Sequence, residues 1–158
     1  MEGKALALVT DAGTPGINDP GNELIAYLLS DHSGTPPTII PIPGPNAAIA
    51  ALSISGFPTD RFLFLGFSPA KRKRQKFFSI IAEINIAVVF FESPHRIIKT
   101  LEEFAPNVSG RNVVVARELT KKFEIVYRGD AEKIKELLRR EEPIRGEFVI
   151  IVEPKKES

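Results

Sequence analysis

Six short stretches of this chain carry side chains that can do chemistry: "DAGTPG" (11–16), "PGPNAA" (43–48), "KRKRQK" (71–76), "FESPHR" (91–96), "ARELTKK" (116–122) and "RGE" (145–147). The first two each follow an apolar run and lead into a helical pattern. Asp and Gly also make ordinary strand-to-helix turns for steric reasons. In open α/β sheets, however, ligands collect where strand ends meet helix N-termini, so two such loops can line one crevice. "KRKRQK" puts five basic residues in six. It is either a solvated helix start or a polyanion contact, and the second reading gains from the cost of cations beside the positive end of a helix dipole. Glu92 and Glu118 stand at the carboxyl ends of apolar strands, where a carboxylate is expensive unless paired or used. Arg96, Arg117 and Arg145 lie close to the acidic residues Glu92, Glu118 and Glu147. Each such pair is either a structural ion pair or part of a polar site facing solvent.

Positioning these residues takes a folded domain, and the composition supplies one. The 158 residues are 43% hydrophobic, enough to bury roughly 70% of the unfolded surface in one unit. Twenty-one Lys and Arg against 20 Asp and Glu leave a net charge of +1, so a nucleic-acid footprint must be local. The absence of cysteine excludes disulfides, thiolate catalysis and Cys-based metal sites; the two histidines, His32 and His95, are too few for most histidine sites, and no metal is implied. No apolar run reaches the ~20 residues that span a bilayer, and the start is not a signal peptide, which places the protein most simply in the cytoplasm with no membrane partner.

The pattern predicts an α/β fold. "ALALVT" (5–10) and "TIIPI" (38–42) read as strands, the first an interior one. Asp19 and Pro20 read as cap and first turn of a helix over "GNELIAYLLS", and "AAIAALSIS" as a small-residue helix lying close against a sheet or ligand. "GFPTD" (56–60) is the best boundary, separating residues 1–56 from 57–158. Beyond it come a strand "RFLFLGF", a helix with a basic start, a strand "IAVVFF", and a helix opened by Ser93 and Pro94. An antiparallel pair "NVVVARE"/"FEIVYRG", a helix capped by Asp130 and a last strand "GEFVIIVE" follow, giving a mixed sheet in the second part.

Taken in order, "VTDAGTPGINDPG", "PIPGPNAAIAALSISGFPTDRFLFLGFSPAKRK", "FFESPHRI", "VVVARELTKKFE" and "RGEFVIIVE" resemble the ribosomal RNA small subunit methyltransferase I family, of the tetrapyrrole methylase superfamily, over residues 5 to 153. The resemblance implies methyl transfer from S-adenosylmethionine to a cytidine ribose 2′-hydroxyl of 16S ribosomal RNA, by a homodimer of two-domain subunits that bind the cofactor between their domains. It also implies that residues 1–56 are part of the first domain, since family members carry further strands and a glycine-rich loop before "ALALVT", and that 57–158 are a complete second domain. On the same resemblance, Asp11, Ala12, Gly13 and Thr14, with Asn46 and Ala47, would lie against the cofactor, and Phe91 and Glu147 would close over its adenine. Loss of the hydroxyl proton needs a base, for which Glu92 and Glu118 are the candidates. Lys71, Arg72, Lys73, Arg74, His95, Arg96, Arg117 and Lys121 are the candidates for RNA phosphates. Two other readings stand beside this one: a porphyrinoid methylase acting on precorrin-type macrocycles, and a non-catalytic remnant that binds RNA or dimerises.

Overall fold

Apolar alternation after residue 60 resolves into five strands, β1 (Phe62–Phe67), β2 (Ala87–Glu92), β3 (Val113–Arg117), β4 (Ile125–Gly129) and β5 (Phe148–Val152). In the computed structural model, which describes residues 5–30, 37–141 and 143–156, they form one sheet in the order β1-β2-β5-β3-β4. Only β1 and β2 run parallel; β2–β5, β5–β3 and β3–β4 are antiparallel, so the sheet is mixed. Val and Ile dominate the central strands, where branched side chains pack well on a pleated surface.

Period two gives the sheet two faces. Val88, Phe90, Val113, Val115, Ile150 and Val152 point to one face, packed against α3 (Arg74–Glu83), α4 (Ile97–Phe104) and α5 (Ala131–Arg139). The Phe104 ring meets those of Phe78 and Phe90 there, each with centroids 5.8 Å away. Ala87, Val89, Val114, Ala116, Val149 and Ile151 point to the other, where α2 (Ala47–Ser53) lays Ala48, Ala51 and Leu52 against them. The small side chains let that helix sit close to the sheet, as its composition implied.

Helix ends are held by local chemistry. Asp130 caps α5, its carboxylate accepting from the Glu132 and Lys133 amides. At the end of α3, the buried Arg111 guanidinium donates to the Ile81 carbonyl at 3.0 Å and the Glu153 carbonyl at 2.7 Å. Burial pulls its pKa down from the ordinary arginine value. Ser93 and Pro94 do not open α4 as expected. Residues 93–96 form a turn in which the Arg96 and Ile97 amides both donate to the Ser93 carbonyl, and the helix begins at Ile97.

Two compact units are present, Met1–Asn46 and Ala47–Ser158, so α2 belongs with the sheet it packs on, before the pattern break at 56–60. In the first unit neither residues 5–10 nor residues 38–42 form the expected strands. A strand exists by pairing, and neither segment pairs with another among the described residues. Their apolar side chains stand out, Leu6 at 93%, Val9 at 81% and Ile42 at 77% exposure. α1 (Asn22–Ser30) forms, but two residues later than Asp19 and Pro20 suggest: the Gly21 carbonyl accepts from the Ile25 amide, and Asn22 Nδ2 donates back to the Gly16 carbonyl at 2.9 Å. No helix among the described residues is long and apolar enough to cross a membrane.

Candidate cofactor cradle and cationic surface

Within the first unit, the loops 11–16 and 43–46 are laced together. Thr14 Oγ1 donates to the Pro45 carbonyl at 3.1 Å, and Gly13 adopts φ +75°, which a side chain disfavours. A Cβ at Gly44 would stand 3.3 Å from Thr14 Oγ1. The result is a cradle edged by backbone, with exposed Asp11 beside it and Asn46 at its far end, leading to Ala47 at the start of α2. Backbone amides and a carboxylate are a donor and acceptor set suited to a ribose diol and an amino-acid group, so the cradle fits a nucleoside-linked cofactor.

In the second unit the register brings three sequence-predicted stretches to one end of the sheet, because Glu92 and Arg117 both lie opposite Phe148. There Glu118 and Glu147 are tied backbone to side chain: the Glu118 amide donates to the Glu147 carbonyl at 3.0 Å, and the Glu147 amide returns to Glu118 Oε1 at 2.9 Å. Lys121 Nζ bridges both carboxylates, at 3.2 and 2.9 Å. The Glu147 amide, followed by Lys121, holds the Glu118 carboxyl below its usual range, and the two carboxylates raise the Lys121 pKa. Gly146 makes this possible: at φ +96°, a Cβ there would fall 2.5 Å from Glu118 Cγ. Phe91 stands on the α2 face of the sheet, edge-on to Phe64 and Phe67 at 5.0 and 5.6 Å.

Glu92 departs from the role of a base. Its side chain is buried on the opposite face, where Oε2 accepts from the Ser68 and Thr100 hydroxyls and Oε1 from the Ser93 amide and Arg96. Every lone-pair direction is engaged, and a substrate oxygen has no path to it. Arg74 likewise leaves the basic surface. It is buried, with Nε on Glu103 at 2.7 Å, Nη1 on the Pro69 carbonyl at 2.7 Å and Nη2 on Thr100 at 2.9 Å. Arg96 is committed to Glu92 at 2.7 Å and to the Ser68 carbonyl at 3.2 Å. Arg117 is committed to Glu141 at 2.8 Å and to the Arg145 carbonyl at 2.7 Å. Lys71, Arg72, Lys73 and His95 stay exposed, and Lys121 is half exposed. Ser68, Thr100 and Glu103 escaped the sequence reading, since uncharged hydroxyls and a helix-surface Glu carry no signal until the fold places them around Arg74.

With this geometry in view, comparison with known proteins decides the family. The family model for tetrapyrrole (corrin/porphyrin) methylases matches residues 1–135. The chain belongs to the tetrapyrrole methylase family. Methyltransferases of known structure share its fold: the methyltransferase CobJ aligns with a TM-score of 0.62 at 21% identity, over 92% of this chain and 64% of its own. A uroporphyrin-III C-methyltransferase from Thermus thermophilus, complexed with S-adenyl homocysteine, aligns at 0.55 and 16% identity, over 89% and 62%. Among curated sequences, the proteins named ribosomal RNA small subunit methyltransferase I of Halalkalibacterium halodurans and Escherichia coli O157:H7 are 42% and 43% identical over 97% and 99% of this chain. They are matched over 52% and 54% of their own length, so the chain spans about half of these relatives.

Proposed function

We propose that this chain is part of an S-adenosylmethionine-dependent methyltransferase that modifies a cytidine ribose 2′-hydroxyl of 16S ribosomal RNA. The observation that carries the reading is the identity of 42–43% across nearly the whole chain to proteins named ribosomal RNA small subunit methyltransferase I. The exposed cations at 71–73, without ion pairs among the described residues, favour it over a macrocycle methylase, since a single porphyrinoid needs no basic run, whereas an RNA backbone does. In the whole protein, residues 1–56 belong to the first methylase domain and 57–158 form the second, with α2 the segment of the first that packs on the sheet of the second. The enzyme works in the cytoplasm as a homodimer on the small ribosomal subunit.

S-adenosylmethionine, when bound, supplies an electrophilic methyl group on a sulfonium. Gly13 and Gly44 would hold it through their backbone, with Asp11, Ala12, Thr14, Asn46 and Ala47, and Phe91 and Glu147 would serve its adenine. Such a reaction gains most from holding reacting atoms in line, which a rigid cradle provides. Of the two candidate carboxylates Glu118 takes the proton. Its lowered pKa makes it a weak base, which suffices because the attacking hydroxyl becomes strongly acidic as its bond to carbon forms. RNA phosphates meet Lys71, Arg72, Lys73 and His95, while Lys121 stays on Glu118 and Glu147.

The test is transfer of labelled methyl to 16S ribosomal RNA by the protein at the full length of its curated relatives. Ribose methylation is the expected product, and Glu118→Gln should lower the rate about a hundredfold. Labelling of a precorrin-type macrocycle with none on RNA would replace this reading with the porphyrinoid one; loss of any S-adenosylmethionine affinity with RNA binding retained would replace it with the non-catalytic one.

A further inference from the structure

The run "KRKRQK" is divided by burial. Lys71, Arg72, Lys73 and Lys76 are exposed, and none of their charged groups has a hydrogen bond or ion pair with another described residue. Arg74, in their midst, is buried, and its charge is spent on Glu103 at 2.7 Å and Glu92 at 3.9 Å. Arg96 spends its charge on the same Glu92. Two guanidinium groups and two carboxylates thus form a part-buried clip, completed by Ser68 and Thr100, and the exposed Lys99 reaches its edge, 3.7 Å from Glu103. Above it, Lys71, Lys73, Lys76 and Lys99 line one concavity whose floor is Arg74 and Glu103.

Gathering these lysines has a cost. They repel one another, three of them sit at or before the positive end of α3, and Lys73 is held at φ +69°, a conformation unfavourable for a residue with a side chain. The clip supplies the restraint. Arg74 Nη1 grips Pro69 and Ser68 at the loop's entry, while its Nε and Nη2 fix the loop's exit to Glu103 and Thr100, α4 residues in the turn that follows Lys99.

We propose that Arg74 is a positioning residue and does not itself touch RNA: it fixes loop 69–73 against α4, so that Lys71, Lys73, Lys76 and Lys99 meet consecutive phosphates of an RNA backbone together. The proposal rests on the reading of the protein as an RNA-acting enzyme and adds to it a division of labour within the basic run.

Binding of the 158-residue chain to a 16S ribosomal RNA transcript, measured across a salt series, tests it. Each phosphate that is no longer neutralised lowers the slope of log affinity against log salt by ~0.7, roughly fivefold in affinity at 0.1 M salt. The triple variant Lys71→Ala/Lys73→Ala/Lys76→Ala should leave about three phosphates without a cation. Arg74→Lys keeps the net charge but cannot hold four partners at once, and should leave one or two phosphates unmatched, with the corresponding reduction in slope. A purely structural role would lower its melting temperature and leave the slope of the folded variant unchanged. Should Arg74→Lys not fold, Thr100→Val, which removes the acceptor of Arg74 Nη2 and leaves the net charge unchanged, carries the same expectation. Wild-type slope in the folded Arg74→Lys or Thr100→Val, with a reduced slope in the triple variant, overturns the positioning role and leaves RNA binding standing. A wild-type slope in the triple variant overturns both the positioning role and this face as the RNA surface.

Discussion

Tyr127 shows how one buried hydroxyl can report on the end of the sheet where the acidic and basic residues gather. Its Oη–H donates to Glu141 Oε1 at 2.6 Å, and burial, followed by that carboxylate, pushes its pKa up from 10.0 to about 12. Below pH ~10 the folded and unfolded chains both carry the proton. Between there and about 12 only the folded chain keeps it, so stability must fall as pH rises through this window, by at most ~1.4 kcal/mol per unit. Urea unfolding measured across the alkaline range should show the decline, and Tyr127→Phe should flatten it. Gly146 makes the second demand at this scale. Gly146→Ala would force a Cβ against Glu118 at a left-handed φ, and should cost about 2 kcal/mol in the same unfolding measurement. Loss of the Glu118–Glu147 exchange should accompany it, visible as a rise in the acid titration midpoint of Glu118 by NMR.

Elements differ in how much of them the sequence makes legible, and the difference follows from where their partners lie. The strands and helices after residue 60 find their partners within this chain, so alternation and capping residues announce them: Asp130 caps the helix it should, and "NVVVARE" pairs with "FEIVYRG" across Val115 and Tyr127. Residues 5–10 are as apolar as any of these strands, yet stay unpaired, because an apolar run encodes burial without supplying the neighbour. The basic run misleads for a related reason. Charge is visible in the sequence, but the carboxylates that claim Arg74 and Arg96 come from β2 and α4 and become visible only in the fold. The Ala-rich α2 lies between these cases, its composition foretelling a close approach but not the surface approached. Since Ala51 is fully buried against the sheet, Ala51→Leu should overpack that interface and cost about 2 kcal/mol, read as a lowered urea midpoint with the sheet's circular dichroism retained.

For the whole molecule, the question is whether the cradle binds without the rest of the protein. The loops 11–16 and 43–46 hold each other through Thr14 and Pro45, but the segments that lead into them leave Leu6, Val9, Ile40 and Ile42 more than 70% exposed. A binding loop is only as rigid as the strands that carry it, and cofactor affinity is reduced by the fraction of time its geometry is absent. The expectation is therefore weak or undetectable S-adenosylmethionine binding to the 158-residue chain by calorimetry, and tight binding to the protein at the full length of its curated relatives. Limited proteolysis should agree, removing residues before Ala47 first and leaving the sheet-bearing unit Ala47–Ser158 intact, with cofactor protecting the first unit only in the longer protein. Equal affinity in both would mean that the two loops and the sheet-bearing unit suffice.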